Sequence, residues 1–277
     1  MKQIAQGRLA KMLTEPSRPI KYTLKFNDQS IQMNELLGKR LKITFEQEIR
    51  CTNCQRLTKK SFNQGFCYPC FQKLASCDRC IMSPELCHYA AGTCREPAWG
   101  EKNCMQEHIV YLANSTGLKV GITRHTQVPT RWMDQGAVQA LPIISVSSRY
   151  LSGLIESKLK EWAADKTNWR KMLKHEVEVI DLVVERNRLF ELVSDYLAEL
   201  RVAYPDERID CLLSGEVYEF DYPSLAWPEK AKTYNLDKTP EVHDRLIAIK
   251  GQYLIFEQAC LNIRKYGSYQ VSMYVDE

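Results

Sequence analysis

Residues Ile109–Trp132 read IVYLANSTGLKVGITRHTQVPTRW, and their reading decides the fold. Ile109 to Leu112 and Lys119 to Ile122 are short apolar, β-branched runs. Between them lies Ala113-Asn114-Ser115-Thr116-Gly117, a turn composition, so the segment is expected to be a β-hairpin. Thr126 is placed to cap a helix, Pro129 suits the first helical turn and Gly136 its end, which puts Arg131 and Trp132 on a short helix. A tyrosine, a hairpin glycine and an arginine are thereby brought towards one another.

Downstream, Ala140 to Val146 (ALPIISV) reads as a buried third strand, followed by a helix from about Ser152. Leu151, Ile155, Leu159 and Trp162 recur at helical spacing as its core face. Glu156 lies about 100° around the helix from Ile155, beside that stripe, where it reaches a cleft or pairs with Lys160 at i+4. Thr167 to Tyr204 is mostly helical by pattern, with Leu189, Leu192, Val193, Leu197 and Leu200 forming a stripe that suits core packing or a dimer contact.

The hairpin motifs Ile109-Val110-Tyr111 and Lys119-Val120-Gly121, with the arginine helix behind them, resemble the GIY-YIG nuclease superfamily. The run Lys119-Val120-Gly121-Ile122-Thr123 is similar to the K-[IV]-G-x-[ST] variant of one phage and fungal branch, with Lys119 where a tyrosine is usual. The resemblance implies that Tyr111 activates or positions water and that Arg131 stabilises the transferring phosphoryl charge. It also implies that Glu156, within Ser152-Gly153-Leu154-Ile155-Glu156, holds one Mg²⁺ or Mn²⁺. Each role suits its side chain, because carboxylates are hard oxygen ligands and arginine offers phosphate a planar fork. Tyrosine is a weak base unless a cation lowers its pKa, and Lys119 could be that cation. Arg124 competes with Arg131, and His125 is the nearby imidazole, either inert or a base.

Of the eleven cysteines, nine fall between Cys51 and Cys104. Such crowding, in a chain whose first residues lack the apolar segment of a secretory signal, points to metal-held thiolates over disulfides. Cys51-x2-Cys54 and Cys67-x2-Cys70 are two knuckles of a tetrahedral zinc site. A second zinc site is expected from Cys77, Cys80, Cys94 and Cys104, with Cys87 or His88 as the main substitute and His108 nearby. Both sites should be structural, since closed all-protein coordination leaves no position for water. Between the knuckles, Arg56, Lys59, Lys60 and Phe62, with Phe66 and Tyr68, mix cations and aromatics as nucleic-acid-gripping ribbons do, or form a solvated surface. Cys211 and Cys260 read as core residues.

Lys21 to Phe26 and Leu41 to Phe45 alternate as half-buried strands around a turn at Asn27-Asp28-Gln29-Ser30. Beyond Pro205, strands are expected at Glu216–Tyr222, Arg245–Ile249, Gln252–Phe256 and Tyr269–Tyr274, as a small barrel or curled sheet that incorporates N-terminal strands. Lys250, with Lys230, Lys232, Arg264 and Lys265, gives that rim a surface for a nucleic-acid backbone, though a generic rim reads equally well.

The expected class is a multidomain α+β protein. Its parts are an N-terminal β-module (1–49), a double zinc region (50–106), a GIY-YIG-like module with its following helix (107–205) and a C-terminal β-barrel-like module (206–277). The whole order of motifs resembles a bacterial family known by a domain-of-unknown-function label. Lys and Arg outnumber Asp and Glu by 38 to 34, which permits nucleic acid as a partner without demanding it. No apolar run approaches the ~18 residues of a membrane span, so a soluble, cytoplasmic protein is expected. Two functions follow from these readings: a metal-dependent endonuclease on structured DNA or RNA, or a non-catalytic, zinc-stabilised nucleic-acid binder on the same scaffold.

Overall fold

The computed structural model describes residues 1–26, 29–164 and 166–276; the expected turn residues Asn27 and Asp28 lie outside them. Before the cysteine region come β1 (Lys2–Arg8), β2 (Leu13–Glu15), β3 (Lys21–Phe26), β4 (Gln29–Gln32) and β5 (Arg40–Ile49). The cysteine region holds two short helices, α1 (Tyr68–Lys73) and α2 (Pro97–Asn103). Then follow β6 (His108–Asn114), β7 (Leu118–Arg124), α3 (Thr130–Asp134), β8 (Gln139–Val146), α4 (Arg149–Leu159), α5 (Trp169–Leu173) and α6 (Leu182–Ala203). The chain closes with β9 (Ile209–Cys211), β10 (Tyr218–Glu219), β11 (Glu241–Lys250), β12 (Tyr253–Phe256), β13 (Cys260–Asn262) and β14 (Tyr269–Val275). The protein is mixed α and β, and its strand ladders are antiparallel.

The expected hairpin is β6–β7, and β6 is the strand that organises the central sheet. It pairs with β7 on one side and β8 on the other, in the order β10-β8-β6-β7 with β9 also on β8. Every residue of β6 is buried, and its period of two divides them between two cores. Val110 and Leu112 join Leu151, Ile155 and Leu159 of α4 and Leu189, Val193 and Leu197 of α6. Ile109, Tyr111 and Ala113 face Trp132 and Ala137. The sheet is therefore packed on both faces, which is why its central strand carries no alternating polar residues.

Strands from both ends of the chain share a second sheet, ordered β1-β14-β5-β11-β12-β13. Its core gathers Leu41, Ile43 and Phe45 with Leu246, Ile249, Val271 and Met273. Pairing between its two outer strands would close the expected barrel, and none occurs among the described residues. A small third sheet is β2-β3-β4.

Local chemistry shifts several expected boundaries. α4 begins at Arg149, not Ser152, because the Ser148 side chain accepts from Leu151 N at 3.4 Å and caps the helix there. Thr126 caps nothing: it lies in a 3-10 turn, and Pro129 is the N-cap of α3. Gly136 does end α3, at φ +72°, the left-handed conformation glycine adopts without a Cβ penalty. The expected strand over Glu216–Tyr222 shrinks to Tyr218–Glu219, and β9 and β10 extend the central sheet although they lie beyond residue 205. The long helical stretch is broken between α5 and α6, and Asp181 caps α6 by accepting from Val183 N and Val184 N. Cys260 is buried and Cys211 is only partly so. No helix among the described residues is long and apolar enough to cross a membrane.

Candidate functional site

Tyr111 and Gly121 stand directly opposite each other in the β6–β7 register, so their side-chain positions share one face of the hairpin. The tyrosine ring uses the space left by the glycine: a Cβ on residue 121 would lie 2.6 Å from the Tyr111 hydroxyl and 2.7 Å from Cζ. Trp132 on α3 packs edge-on against the same ring, with centroids 5.6 Å apart. The Tyr111 hydroxyl donates to Gln135 Oε1 at 3.0 Å. Lys119 Nζ donates to the same oxygen at 2.6 Å and to Thr167 Oγ1 at 3.1 Å.

Arg131 lies within hydrogen-bond reach of the Tyr111 hydroxyl, and Glu156 is close enough for its charge to act on it. Tyr111, Lys119, Arg131 and Glu156 are thus brought together from β6, β7, α3 and α4. Arg124 is not among them. It ends β7 opposite His108 and donates to Asn103 Oδ1 at 2.8 Å, so of the two competing arginines Arg131 joins the tyrosine. His125 is exposed, 3.9 Å from Glu107.

The electrostatics of this cluster are those of a closed, cation-rich site. Burial raises the Tyr111 phenol above its ordinary value, the Arg131 charge and hydrogen bond oppose the rise, and Glu156 adds to it. Tyr111 is 1% exposed and Glu156 9% exposed. Glu156 Oε2 is 3.2 Å from Lys160 Nζ, so the i+4 pair is formed at the same time as the approach to Tyr111. Burial lowers the pKa of Arg149, with Arg131 contributing to the lowering, and Glu156 is among the groups that raise it. Arg264, from the turn before β14, is lowered by burial and then by the Arg131 charge.

Sequence reading did not pick out Gln135 or Arg149, and it placed Arg264 only on the C-terminal rim. Gln135 carries no motif, since its role comes from the last turn of α3 aiming it at two donors. Arg149 had a readable signal: it precedes Gly153 by four residues and Glu156 by seven, which places all three along one face of a helix.

The nucleic-acid surface expected around Lys250 is corrected by burial. Lys250 is 0% exposed. Its ammonium lies 2.9 Å from His175 Nδ1 and over the Tyr222 and Trp227 rings at 5.3 and 5.5 Å. Burial lowers it to about 7. It cannot meet a phosphate backbone without unpacking that core. Lys59 and Lys60 are exposed, and Lys60 stands over the Phe62 ring at 5.4 Å.

The first cysteine cluster closes as expected. The ligand atoms of Cys51, Cys54, Cys67 and Cys70 all lie within 4.8 Å of one another, and the Cys54 and Cys67 sulfurs are 3.6 Å apart. A tetrahedral ion with Zn–S of ~2.3 Å needs sulfurs ~3.8 Å apart, so a cluster this tight is compatible with zinc. Positive φ at Gln55 turns the chain out of the first knuckle, and Cys67 begins α1 from the second. Burial raises the Cys51 thiol, but the surrounding backbone N–H groups of Cys54, Cys67 and Asn53 outweigh it and lower the thiol overall. This is how a thiolate site is prepared for a cation.

The second cluster takes a different shape from the expected one. A cavity of about 20 Å³ is lined by Asp78, Cys80, Cys87, His88, Cys94 and Cys104, with Trp99 and Gly100 completing the wall. Cys77 is not part of that wall; its sulfur accepts from Asn63 Nδ2 at 3.4 Å, on the linker of the first cluster. His108 is also absent from the wall. It is fully buried on β6 with Nδ1 against Gln106 O at 2.8 Å, and burial lowers it to about 4. Cys77 and Cys80 do not form the expected knuckle, because Cys77 ends one 3-10 turn (Ala75–Cys77), Cys80 lies in the next (Arg79–Ile81), and extended Asp78 joins them.

Fold and site together define a mixed α/β protein of antiparallel sheets with a four-cysteine cluster compatible with zinc. Residues 38–271 match the family described as Protein of unknown function (DUF2797), and the chain belongs to it. No curated protein and no solved structure matches the chain.

Proposed function

We propose that the protein is a GIY-YIG-type phosphodiesterase acting on structured DNA or RNA, its cysteine region held by zinc. The observation that carries this reading is that Arg131 and Glu156, from two further elements, lie near enough to act on the Tyr111 phenol that packs over Gly121. Arg131 would hold the scissile phosphate and offset the charge that builds on it, with Arg264 adding to the local positive field. Tyr111, kept protonated by burial, would orient water or a phosphate oxygen through its hydroxyl and would not take a proton. Lys119 and Gln135 fix the direction of that hydroxyl.

Glu156 is the carboxylate that would hold Mg²⁺ or Mn²⁺, in competition with Lys160, whose Nζ lies 3.2 Å from Oε2. The ion would supply Lewis-acid polarisation of the phosphate. Two structural zinc ions are part of the proposal, one on Cys51, Cys54, Cys67 and Cys70 and one in the second cysteine cluster. Lys59 and Lys60, exposed on the ribbon, would meet the nucleic-acid backbone.

The Glu156–Lys160 pair favours a second reading, a binder without cleavage, because the carboxylate is already neutralised at 3.2 Å. The discriminating experiment is cleavage of labelled branched DNA, single-stranded DNA and structured RNA with Mg²⁺ or Mn²⁺, using wild type, Glu156→Ala and Arg131→Ala. Metal-dependent cutting lost in both variants, with zinc content and fold retained, supports the nuclease. Salt-dependent binding without cutting supports the binder.

A further inference from the structure

We infer that Cys80, Cys87, Cys94 and Cys104 form the second zinc site, without Cys77, and that its ion acts as a strut fixing helix α4. The inference deepens the reading that the cysteine region holds two zinc ions. It is independent of whether the protein cuts nucleic acid.

Cys80, Cys87, Cys94 and Cys104 line the cavity with Asp78, His88, Tyr89 and Trp99, and its volume of about 20 Å³ is that of one small occupant. Asp78 and His88, the other two metal-ligating side chains of the wall, are already engaged. Asp78 Oδ1 accepts from Arg79 N at 2.6 Å and Oδ2 pairs with Arg95 Nε at 2.7 Å. His88 Nε2 lies 3.4 Å from Asp78 Oδ2, and Nδ1 lies 2.8 Å from Thr93 Oγ1. Asp78, Cys80 and His88 have their ligand atoms within 4.8 Å of one another. The four cysteines are assigned as the ligand set because Asp78 and His88 already have these partners, so binding draws the sulfurs of Cys87, Cys94 and Cys104 towards Cys80. An all-thiolate tetrahedral set selects zinc over the hard cations. Asp78 and His88 then brace the loop around the ligands.

The same loop bears on α4 at two places. Cys80 and Cys87 flank the 3-10 turn Pro84–Leu86, and a Cβ at Gly153 would lie 2.5 Å from Pro84 Cβ and 2.7 Å from Glu85 N. Arg149 N donates to Cys104 O at 2.8 Å, and the Arg149 guanidinium donates to Ile81 O at 2.7 Å. Arg149 and Gly153 lie on the helix face that leads to Glu156. Drawing Cys80, Cys87 and Cys104 onto one ion therefore fixes the turn and the Cys104 carbonyl against α4.

The test is zinc content per chain, with backbone amide exchange along α4, for full-length wild type, Cys87→Ala and Cys77→Ala. Retention of the ion on Cys51, Cys54, Cys67 and Cys70 serves as the internal check on folding. The expected result is two ions in wild type and in Cys77→Ala and one in Cys87→Ala, with α4 exchange at least tenfold faster only in Cys87→Ala. Loss of an ion in Cys77→Ala but not in Cys87→Ala would overturn the ligand set while leaving two zinc sites standing. A single ion in wild type would overturn the second site altogether, whatever the cleavage assay gives. Unchanged α4 exchange in a Cys87→Ala protein that has lost its ion would overturn the strut.

Discussion

The Tyr111 ring lies over Gly121 across the hairpin, its hydroxyl 2.6 Å from the place where a Cβ on residue 121 would stand. Any side chain at 121 must displace a tyrosine that is packed on Trp132 and bonded to Gln135. Gly121→Ala is expected to cost about 1–3 kcal/mol, the range for overpacking a filled core. Urea denaturation measures it, and a loss below ~0.5 kcal/mol would mean that the ring moves freely.

Tyr111→Phe keeps the ring and removes only the hydroxyl. Gln135 Oε1 retains Lys119 as a donor, so the stability loss should be near ~1 kcal/mol, typical of one hydrogen bond. Burial keeps the Tyr111 pKa above its ordinary value. Difference absorbance between wild type and variant should therefore show no phenolate from this residue below pH 10. An ionisation near neutrality would restore tyrosine as a base.

Lys250 gives a pH test of the buried core. Its folded pKa of about 7 lies below the ordinary lysine value, so the unfolded chain binds more protons than the native one between pH 7 and 10. Stability from this group must rise with pH across that window, by up to about 1.4 kcal/mol per unit. Lys250→Met should flatten that slope relative to wild type. Equal slopes in the two proteins would show that the lysine is solvated.

Removing metal should act locally before it acts globally. Chelation, or Cys54→Ser, is expected to unfold the Cys51–Cys70 ribbon, whose pairing is limited to short bridges such as Arg50–Leu57 and Phe62–Phe66. The two large sheets should keep their strand signal. Limited proteolysis paired with circular dichroism reads this directly. Cooperative loss of the whole fold on chelation would contradict it.

Legibility from the sequence followed the range of the interactions. The hairpin, the buried third strand and the Gly136 helix end were readable because each depends on residues within a few positions of one another. The first cysteine cluster was readable for the same reason, since C-x2-C knuckles are local turns. Glu156 was placed correctly beside the core stripe of α4 by helical geometry alone.

What the sequence by itself determined, then, is the set of local elements and the identity of the side chains they carry. Only the tertiary structure decided which of those side chains meet. Cys77 has the spacing of a ligand to the second site yet turns to Asn63, while Cys87, seven residues beyond Cys80 in the chain, lines the cavity. Lys250 reads as a rim cation and is enclosed by Tyr222, Trp227 and His175. Arg131 rather than Arg124 reaches Tyr111 because α3 folds back over the hairpin, whereas Arg124 runs off its end. Each of these outcomes depends on contacts between distant segments, set by how the sheets and helices bury their apolar faces, and no local pattern encodes them.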